Sequence, residues 1–370
     1  MSNFKNNINF KKREVYAYQF LNSGDFLKSK NKNITSLSEL KKNLTKLPNN
    51  KFFLEFKINS ILRLKWYFDY LNNYLKNPND IKRIIKEINL EILMYQNFYL
   101  SNWIEKNNLN FKNQNKWNLT RSSFDFMWTQ NTKEKSNFEL SKKIIYPRIK
   151  QILSMMPKNF LHKKNILDSG CGPGRYIDII KYQKPKIIYG VDTGDKIIKQ
   201  NKKKFNDKNI FFKKADFSKL PFKNNFFDFI ISAGVLHHSE TSLDKLIKEH
   251  QLKLKKDGFM FVFIKSTGGL ELELWKFYRS IFKDIPIELT ISYLKNKINP
   301  LRIQGFLDHC YGTYKEISRK KFELILKKYF RNFKKVSGVP GLDLTPENYK
   351  NDKYFKKRFG DGDLRYLLKK

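Results

Sequence analysis

The spacing of apolar residues divides the chain into a helical first part and an alternating second part. Across residues 52–76, Ile58, Ile61, Leu62, Trp66, Phe68, Leu71 and Leu75 recur at close to helical intervals. Asn77-Pro78-Asn79-Asp80 breaks that stripe and offers Asn79 or Asp80 as the cap of a new helix. Residues 81–104 repeat the pattern with Ile81, Ile84, Ile85, Ile88, Ile92, Tyr95, Tyr99 and Trp103. The two stripes predict a helical hairpin whose aromatic residues form its core. Before it, residues 1–50 are polar and weakly periodic, a composition that predicts partly extended or poorly ordered chain. Residues 138–156 predict another amphipathic helix, with Pro147 as a kink or restart.

From Lys164 onward strands and helices alternate. Lys164–Leu167, Lys186–Asp192, Asn209–Asp216, Phe226–Ser232 and Phe259–Ile264 read as strands, with helices at 176–180, 195–206 and 242–254 between them. The fourth strand is almost continuously apolar, as a strand covered on both faces must be. This rhythm predicts a parallel sheet with right-handed crossovers and helices on both faces. Residues 266–316 interrupt it with two predicted helices, about 270–283 and 287–297, and an irregular run from Gly305 to Tyr314. Ser318–Phe330 resumes as a helix, Phe333–Ser337 as a late strand, and the tail from Gly360 as a turn followed by a short element.

The resulting organisation is an accessory segment over 1–115 and a main domain over 116–370, with an insert at about 266–316. Thr120–Gln130 follows a polar linker and carries Phe124, Phe126 and Trp128 in an otherwise polar run. Two readings suit such a segment: a flap over a pocket entrance, or a staple on the core.

Composition narrows the function classes. The 370 residues suffice for about two domains. No apolar run reaches the length of a membrane span, and Met1–Lys5 lacks a hydrophobic signal core, so a cytoplasmic protein without a transmembrane segment is expected. Two widely separated cysteines argue against a structural disulfide and fit a reducing compartment. The histidines are scattered except for His237-His238, which leaves no metal-ligand cluster. The net charge of +39 suits a polyanion such as RNA. It also suits compositional drift, because the lysines spread along the whole chain alongside abundant Asn, Ile, Phe and Tyr.

Candidate chemistry gathers at strand ends. Asp168-Ser169-Gly170-Cys171-Gly172-Pro173-Gly174 joins a short apolar strand to a helix, and its three alternate glycines let a polar ligand lie against the main chain. Asp168, Asp192 and Asp216 fall at or just beyond three strand ends, where open parallel sheets bind ligands. Asp192 lies at the spacing of a ribose-binding carboxylate, and Asp216 can accept from the exocyclic amine of an adenine with Phe217 against the ring. A glycine turn, a ribose acid and an adenine acid together specify an adenosine ligand.

Residues 160–265 resemble the class I S-adenosylmethionine-dependent methyltransferases, of the small-molecule, methyltransferase type 11 or quinone-biosynthesis-like kind. The resemblance is carried by Leu167–Gly174, Gly190-Val191-Asp192, Ala215-Asp216-Phe217 with Leu220-Pro221-Phe222, Phe227–Ile230, Val235-Leu236-His237-His238 and Lys256–Phe259. Ser169, and Lys256-Asp257-Gly258 in place of Lys-Pro-Gly, depart from the usual pattern. The resemblance implies a Rossmann-like seven-stranded sheet whose last strand is antiparallel, with the N-terminal helical segment and a helical lid insert added to it. It implies S-adenosyl-L-methionine as cofactor, held by Asp168, Gly170, Cys171, Gly172, Gly174, Asp192, Thr193, Asp216, Phe217 and the Ala233 backbone.

For the transfer itself, His237 and His238 stand just past the fourth strand, where a near-neutral base is useful if the nucleophile is a hydroxyl. Helix-entry packing is their other reading. Phe126, Trp128, His309 and Tyr311 are candidates for a lid over the acceptor. Ser232-Ala233-Gly234-Val235 is not the Asn-Pro-Pro-Tyr of enzymes that methylate nucleic-acid adenine, and no Pro-Cys supports cytosine carbon methylation. The expectation is therefore a small-molecule methyl acceptor, with an RNA methyltransferase as the alternative and a non-catalytic binding protein as a third reading.

Overall fold

The computed structural model describes residues 36–98, 120, 123–125 and 135–370, apart from 296 and 299. The chain clusters into two units, 1–112 with 276–293 and 113–275 with 294–370. In the first unit, helices α1 (Leu37–Lys46), α2 (Lys51–Asn73) and α3 (Ile81–Phe98) bury Leu40, Leu44, Leu54, Ile58, Ile61 and Ile88. Helix α1 falls inside the stretch expected to lack regular structure. Its Ser36 hydroxyl accepts from the Glu39 amide at 3.2 Å, satisfying an N-terminal donor that the weak periodicity gave no sign of. At the break, Asn77 caps a single turn, Pro78–Asp80, in place of the expected Asn79 or Asp80. Arg63 of α2 reaches Glu87 and Glu91 of α3. An open groove of about 640 Å³ lies between these helices, lined by Arg63, Trp66, Tyr67, Tyr70, Arg83 and Glu87.

The second unit contains helix α4 (Lys135–Ser154), which runs through Pro147 without a restart. It holds a sheet of β1 (Asn165–Ser169), β2 (Ile187–Asp192), β3 (Ile210–Lys214), β4 (Phe227–Ala233), β5 (Leu254–Lys265), β6 (Asn332–Lys335) and β7 (Asp363–Lys369). The order is β3-β2-β1-β4-β5-β7-β6, with β7 antiparallel to both neighbours and the rest of the sheet parallel. The strand order reverses between β2 and β4 around β1, which places a topological switch point at the end of β1.

The central strands feed two separate cores. Ile166, Ile188, Phe229, Ile231 and Phe261 pack on one face with Ile149, Ile177 and Ile180, from α4 and α5 (Arg175–Ile180). Their sequence neighbours Leu167, Ile230, Met260 and Val262 pack on the other face with Leu246, Ile247 and Phe322. Alternation with a period of two, apolar on both faces, is why these strands read as unbroken hydrophobic runs. Each such buried side chain contributes about 1.5–3 kcal/mol. Helices α6 (Asp195–Lys204) and α7 (Leu243–Lys253) complete the crossovers between strands.

Several boundaries differ from expectation. β3 stops at Lys214, so Asp216 stands two residues past the strand. β5 begins at Leu254 and absorbs Asp257-Gly258 as an irregularity, with Asp257 at φ 62°. Beyond β5 come α8 (Gly269–Phe282), α9 (Ile287–Leu294), α10 (Pro300–Tyr311), α11 (Arg319–Tyr329) and the short α12 (Phe355–Phe359). The predicted irregular run from Gly305 is mostly α10. Ile303, Phe306, Leu307, Cys310 and Tyr311 are buried along one helical stripe, and Pro300 occupies the first helical position, where its missing N–H costs nothing. Among the described residues no helix is long and apolar enough to cross a membrane, no group of side chains has metal-ligand geometry, and no disulfide joins Cys171 and Cys310.

Candidate functional site

The glycine loop leaves β1 with Gly170 at φ 85°, Gly172 at φ 48° and Gly174 at φ 76°, the left-handed region that side chains with a Cβ avoid. Close approach adds to this at both ends. A Cβ at Gly170 would collide with the Val235 methyls, and one at Gly174 would lie 2.7 Å from the Phe205 ring. The loop is tied back by Gly170 and Cys171 N–H donating to Val191 O, at 2.8 and 2.9 Å. Asn201 Nδ2 donates to Gly172 O at 2.7 Å and Lys204 Nζ to Pro173 O at 2.9 Å, both from α6.

Asp192 closes this cradle at the end of β2. Its Oδ2 accepts from Gly172 N at 3.0 Å and its Oδ1 from Gly194 N at 3.1 Å, with the Thr193 amide adding to these. A carboxylate oxygen has two lone pairs, so each retains acceptor capacity for a further donor. Burial pushes the Asp192 carboxyl up while the backbone donors pull it down. Asp168 is 3% exposed, and its Oδ2 has no hydrogen-bond partner. Burial, and then the charge of Asp192, push its pKa up to about 7, against the opposing pull of Arg175. Cys171 is buried between these acids, and its thiol is pushed well above the usual value, first by burial.

These observations fit S-adenosylmethionine. The glycines keep the backbone open to close approach, the buried Oδ2 of Asp168 has no hydrogen-bond partner, and Asp192 has acceptor capacity for a ribose diol. The remaining candidates are placed differently. Asp216 is exposed, with Oδ1 accepting from Ser218 N at 2.7 Å. Phe217 is 6% exposed and belongs to the core on the α7 face. Ala233 ends β4 and precedes Gly234, whose φ is 74°.

His237 and His238 form a 3-10 turn directly after β4, and both are buried. His238 Nδ1 lies 2.7 Å from Thr313 O. A carbonyl only accepts, so Nδ1 carries the proton and the basic lone pair is on Nε2. Nε2 lies 3.8 Å from Asp308 Oδ1. The Thr313 hydroxyl donates in turn to His238 O, and Lys315 N donates to His237 O at 2.7 Å.

A chain of rings extends from this pair. His237 lies 4.1 Å from His238 and 4.8 Å from Tyr314; Tyr314 lies 5.4 Å from Trp275; Trp275 stacks on His309 at 4.0 Å. The fold thus gathers His237, His238 and His309 into one aromatic cluster. Tyr311 is buried, and its carbonyl accepts from the Thr120 hydroxyl at 3.5 Å. Phe126 and Trp128 lie outside the described residues. Their neighbour Phe124 packs edge-on against His238 at 4.9 Å.

Trp275, Thr313 and Tyr314 escaped the sequence analysis as site residues, because their partners lie far along the chain; Phe124 and Asp125 fall in the Thr120–Gln130 run expected to be a flap or a staple. Ser169 departs visibly from the usual pattern, but nothing in the sequence points to its partner, His250, whose Nε2 lies 2.8 Å from the serine Oγ.

The Methyltransferase domain model, type 11, matches residues 167–262. A tRNA (carboxymethyluridine(34)-5-O)-methyltransferase from Arabidopsis thaliana is 31% identical over 120 residues, which cover 32% of this chain and 27% of that protein. The match therefore spans little more than a quarter of that relative's length. Two solved structures are similar in fold. One is an S-adenosylmethionine dependent methyltransferase from Mesorhizobium loti (TM-score 0.40, 14% identity, 61% of this chain and 98% of that one). The other is a SAM dependent methyltransferase from Archaeoglobus fulgidus (TM-score 0.40, 18% identity, 63% of this chain and 94% of that one). The family match falls on the segment that carries the glycine loop, Asp192 and β4, so residues 167–262 of this chain are similar to a methyltransferase domain.

Proposed function

We propose that this chain transfers a methyl group from S-adenosylmethionine to a small-molecule acceptor that binds beside His238. The observation that carries this reading is the setting of His238: a fixed tautomer, an acid 3.8 Å from its basic nitrogen, and aromatic walls from Phe124 and Tyr314. S-adenosylmethionine, when bound, supplies an electrophilic methyl group whose leaving group is a neutral thioether. The residues of this chain then have three tasks. Gly170, Gly172 and Gly174 let the donor lie on the backbone, Asp168 serves its amino-acid end, and Asp192 holds its ribose, with Asp216 at the adenine. His238 Nε2 takes the acceptor's proton, and the resulting imidazolium is held between the Thr313 carbonyl and the Asp308 carboxylate. Phe124, Tyr314 and the Trp275–His309 stack exclude water and orient the acceptor.

Cell extract incubated with methyl-labelled S-adenosylmethionine identifies the acceptor. On that acceptor, His238→Ala lowers kcat by about 100-fold or more, the usual contribution of a general base, with calorimetric affinity for S-adenosylmethionine unchanged. Full activity of the variant returns His238 to a packing role.

An RNA acceptor is the second reading. It is favoured by the tRNA methyltransferase among the relatives, by the +39 charge, and by the groove of the first unit, where Trp66 and Tyr70 are exposed and Arg83 lies over Tyr67. Aromatic shelves flanked by arginine suit unpaired bases. RNA binding that weakens steeply with salt and is lost in Trp66→Ala supports this reading; salt-independent or absent binding removes it.

A further inference from the structure

Gly194 is a glycine without a backbone reason. Its φ is −81° and ψ 124°, a conformation open to any residue. Its surroundings are close: a Cβ there would meet Oδ1 of Asp125 and lie 3.0 Å from that carboxyl carbon, so the carboxylate would have to shift. The Asp125 carboxylate therefore sits directly on the turn that follows Asp192. The same turn is the N-cap of α6, where Gly194 offers no side chain to the exposed amides. A negative group is favourable at that helix end, which offsets the repulsion between two acids so close together. Asp192 feels that repulsion: the charge of Asp125 adds to burial in raising its carboxyl.

The described residues beside Asp125 also touch the loop after β4. The Thr120 hydroxyl accepts from Thr313 N at 2.9 Å, and Ser123 Oγ donates to Thr120 O at 2.8 Å. Phe124 packs on His238, and Asp125 lies against Gly194. Phe124 and Asp125 thus touch both the turn that carries His238 and the turn that follows Asp192.

Resting on the S-adenosylmethionine reading, we propose that Asp125 is a second ribose-facing carboxylate, which shares the ribose hydroxyls with Asp192. Asp192 already spends one acceptor position of each oxygen on Gly172 and Gly194. A diol presents two donors, and two carboxylates on either side of one turn accept one each without competing for the same lone pairs.

The test is titration calorimetry on the full chain with S-adenosylmethionine and S-adenosylhomocysteine as separate probes. Asp125→Asn and Asp125→Ala weaken both probes by a similar factor, about 10-fold or more for a lost charged hydrogen bond. The 2′-deoxy analogue of S-adenosylhomocysteine binds wild type more weakly than the parent compound and loses less on Asp125→Ala. Gly194→Ala, which keeps the carboxylate but displaces it, reproduces the loss, and in the Asp125→Ala background it adds nothing further. Unchanged affinity for both probes overturns the proposal and leaves Asp125 as a cap of α6, read out as a lower unfolding temperature alone. Loss confined to S-adenosylmethionine also overturns it, because the group sensed is then the sulfonium charge. Additive losses in the double variant also overturn it, because Gly194 then acts on the donor by a route other than the Asp125 carboxylate. Wild-type protein that binds neither probe overturns the donor assignment itself, an outcome distinct from these.

Discussion

The Oγ of Ser169 lies 2.8 Å from Nε2 of His250, behind the glycine loop at the end of β1. His250 Nδ1 lies 2.7 Å from Leu246 O, so Nδ1 carries the proton and Nε2 accepts from the serine hydroxyl. The imidazole is fully buried, and burial pulls its pKa down to about 4. A histidine held neutral in the fold contributes stability that is complete above its unfolded pKa of about 6.5 and is lost as pH falls towards 4. The pair is thus an acid-sensitive support for the loop.

His250→Ala removes that sensitivity. Wild type loses up to roughly 3 kcal/mol between pH 6.5 and pH 4 from this group, and the variant, less stable at neutral pH, lacks that component of the slope. Urea unfolding across this range checks it; an unaltered slope in the variant refutes the assignment. Ser169→Ala costs about 1–3 kcal/mol, because the buried Nε2 loses its donor.

Asp168 has the opposite sign. Its carboxyl is raised to about 7 in the fold, so its contribution is fully present below the unfolded value of about 3.9 and disappears as pH rises through 7. Asp168→Asn should raise the unfolding temperature of the donor-free protein at pH 8 while abolishing calorimetric binding of S-adenosylmethionine. A variant that is less stable at pH 8, or that binds normally, contradicts this.

Asp343 holds two arginines at once. Its Oδ1 lies 2.7 Å from Arg148 and 2.9 Å from Arg365, whose side chain is wholly buried between strands and is stacked over the rings of Phe261 and Phe263. Asp343→Ala strands both guanidiniums and costs about 3–5 kcal/mol. Adding Arg365→Met to that variant recovers part of the loss. Chemical denaturation of the two variants measures the difference, and equal stability of single and double variants argues against a charge-burial origin.

Asp308 is exposed enough to be replaced without unfolding the helix that carries it. If His238 is the base proposed above, Asp308→Asn lowers kcat about 10-fold with KM for the donor unchanged, because the imidazolium then loses its countercharge. Steady-state kinetics on the identified acceptor read this out; a change in donor KM alone assigns Asp308 to a different task.

Much of the sheet was legible because its signals are local. Phe227–Ala233 reads as a doubly covered strand from its own composition, and the glycines after Asp168 announce a close approach of backbone from their own lack of Cβ. The helix at Pro300–Tyr311 was not legible in the same way. Gly305 and the polar Asp308-His309 pair blur its apolar stripe, and burial of Phe306, Leu307 and Cys310 in the assembled fold overrides that weak propensity. Helix α1 was hidden for a similar reason, since ten residues with few apolar positions are helical only when Leu40 and Leu44 find a core.

By itself the sequence located the five strands from β1 to β5 and the glycine loop; its acids pointed to an adenosine ligand, and the family resemblance named the methyl donor. Each of these rests on the conformational preference of a few consecutive residues or on a short spacing. Only the tertiary structure decided what surrounds His238, which acid covers Gly194 and why Ser169 stands in the loop. The partners in those contacts are 75 residues apart for His238 and Thr313, 193 for Thr120 and Thr313, and 81 for Ser169 and His250. Contacts across such separations leave no periodicity to read, because they form only when the packed sheet brings its loops to one edge.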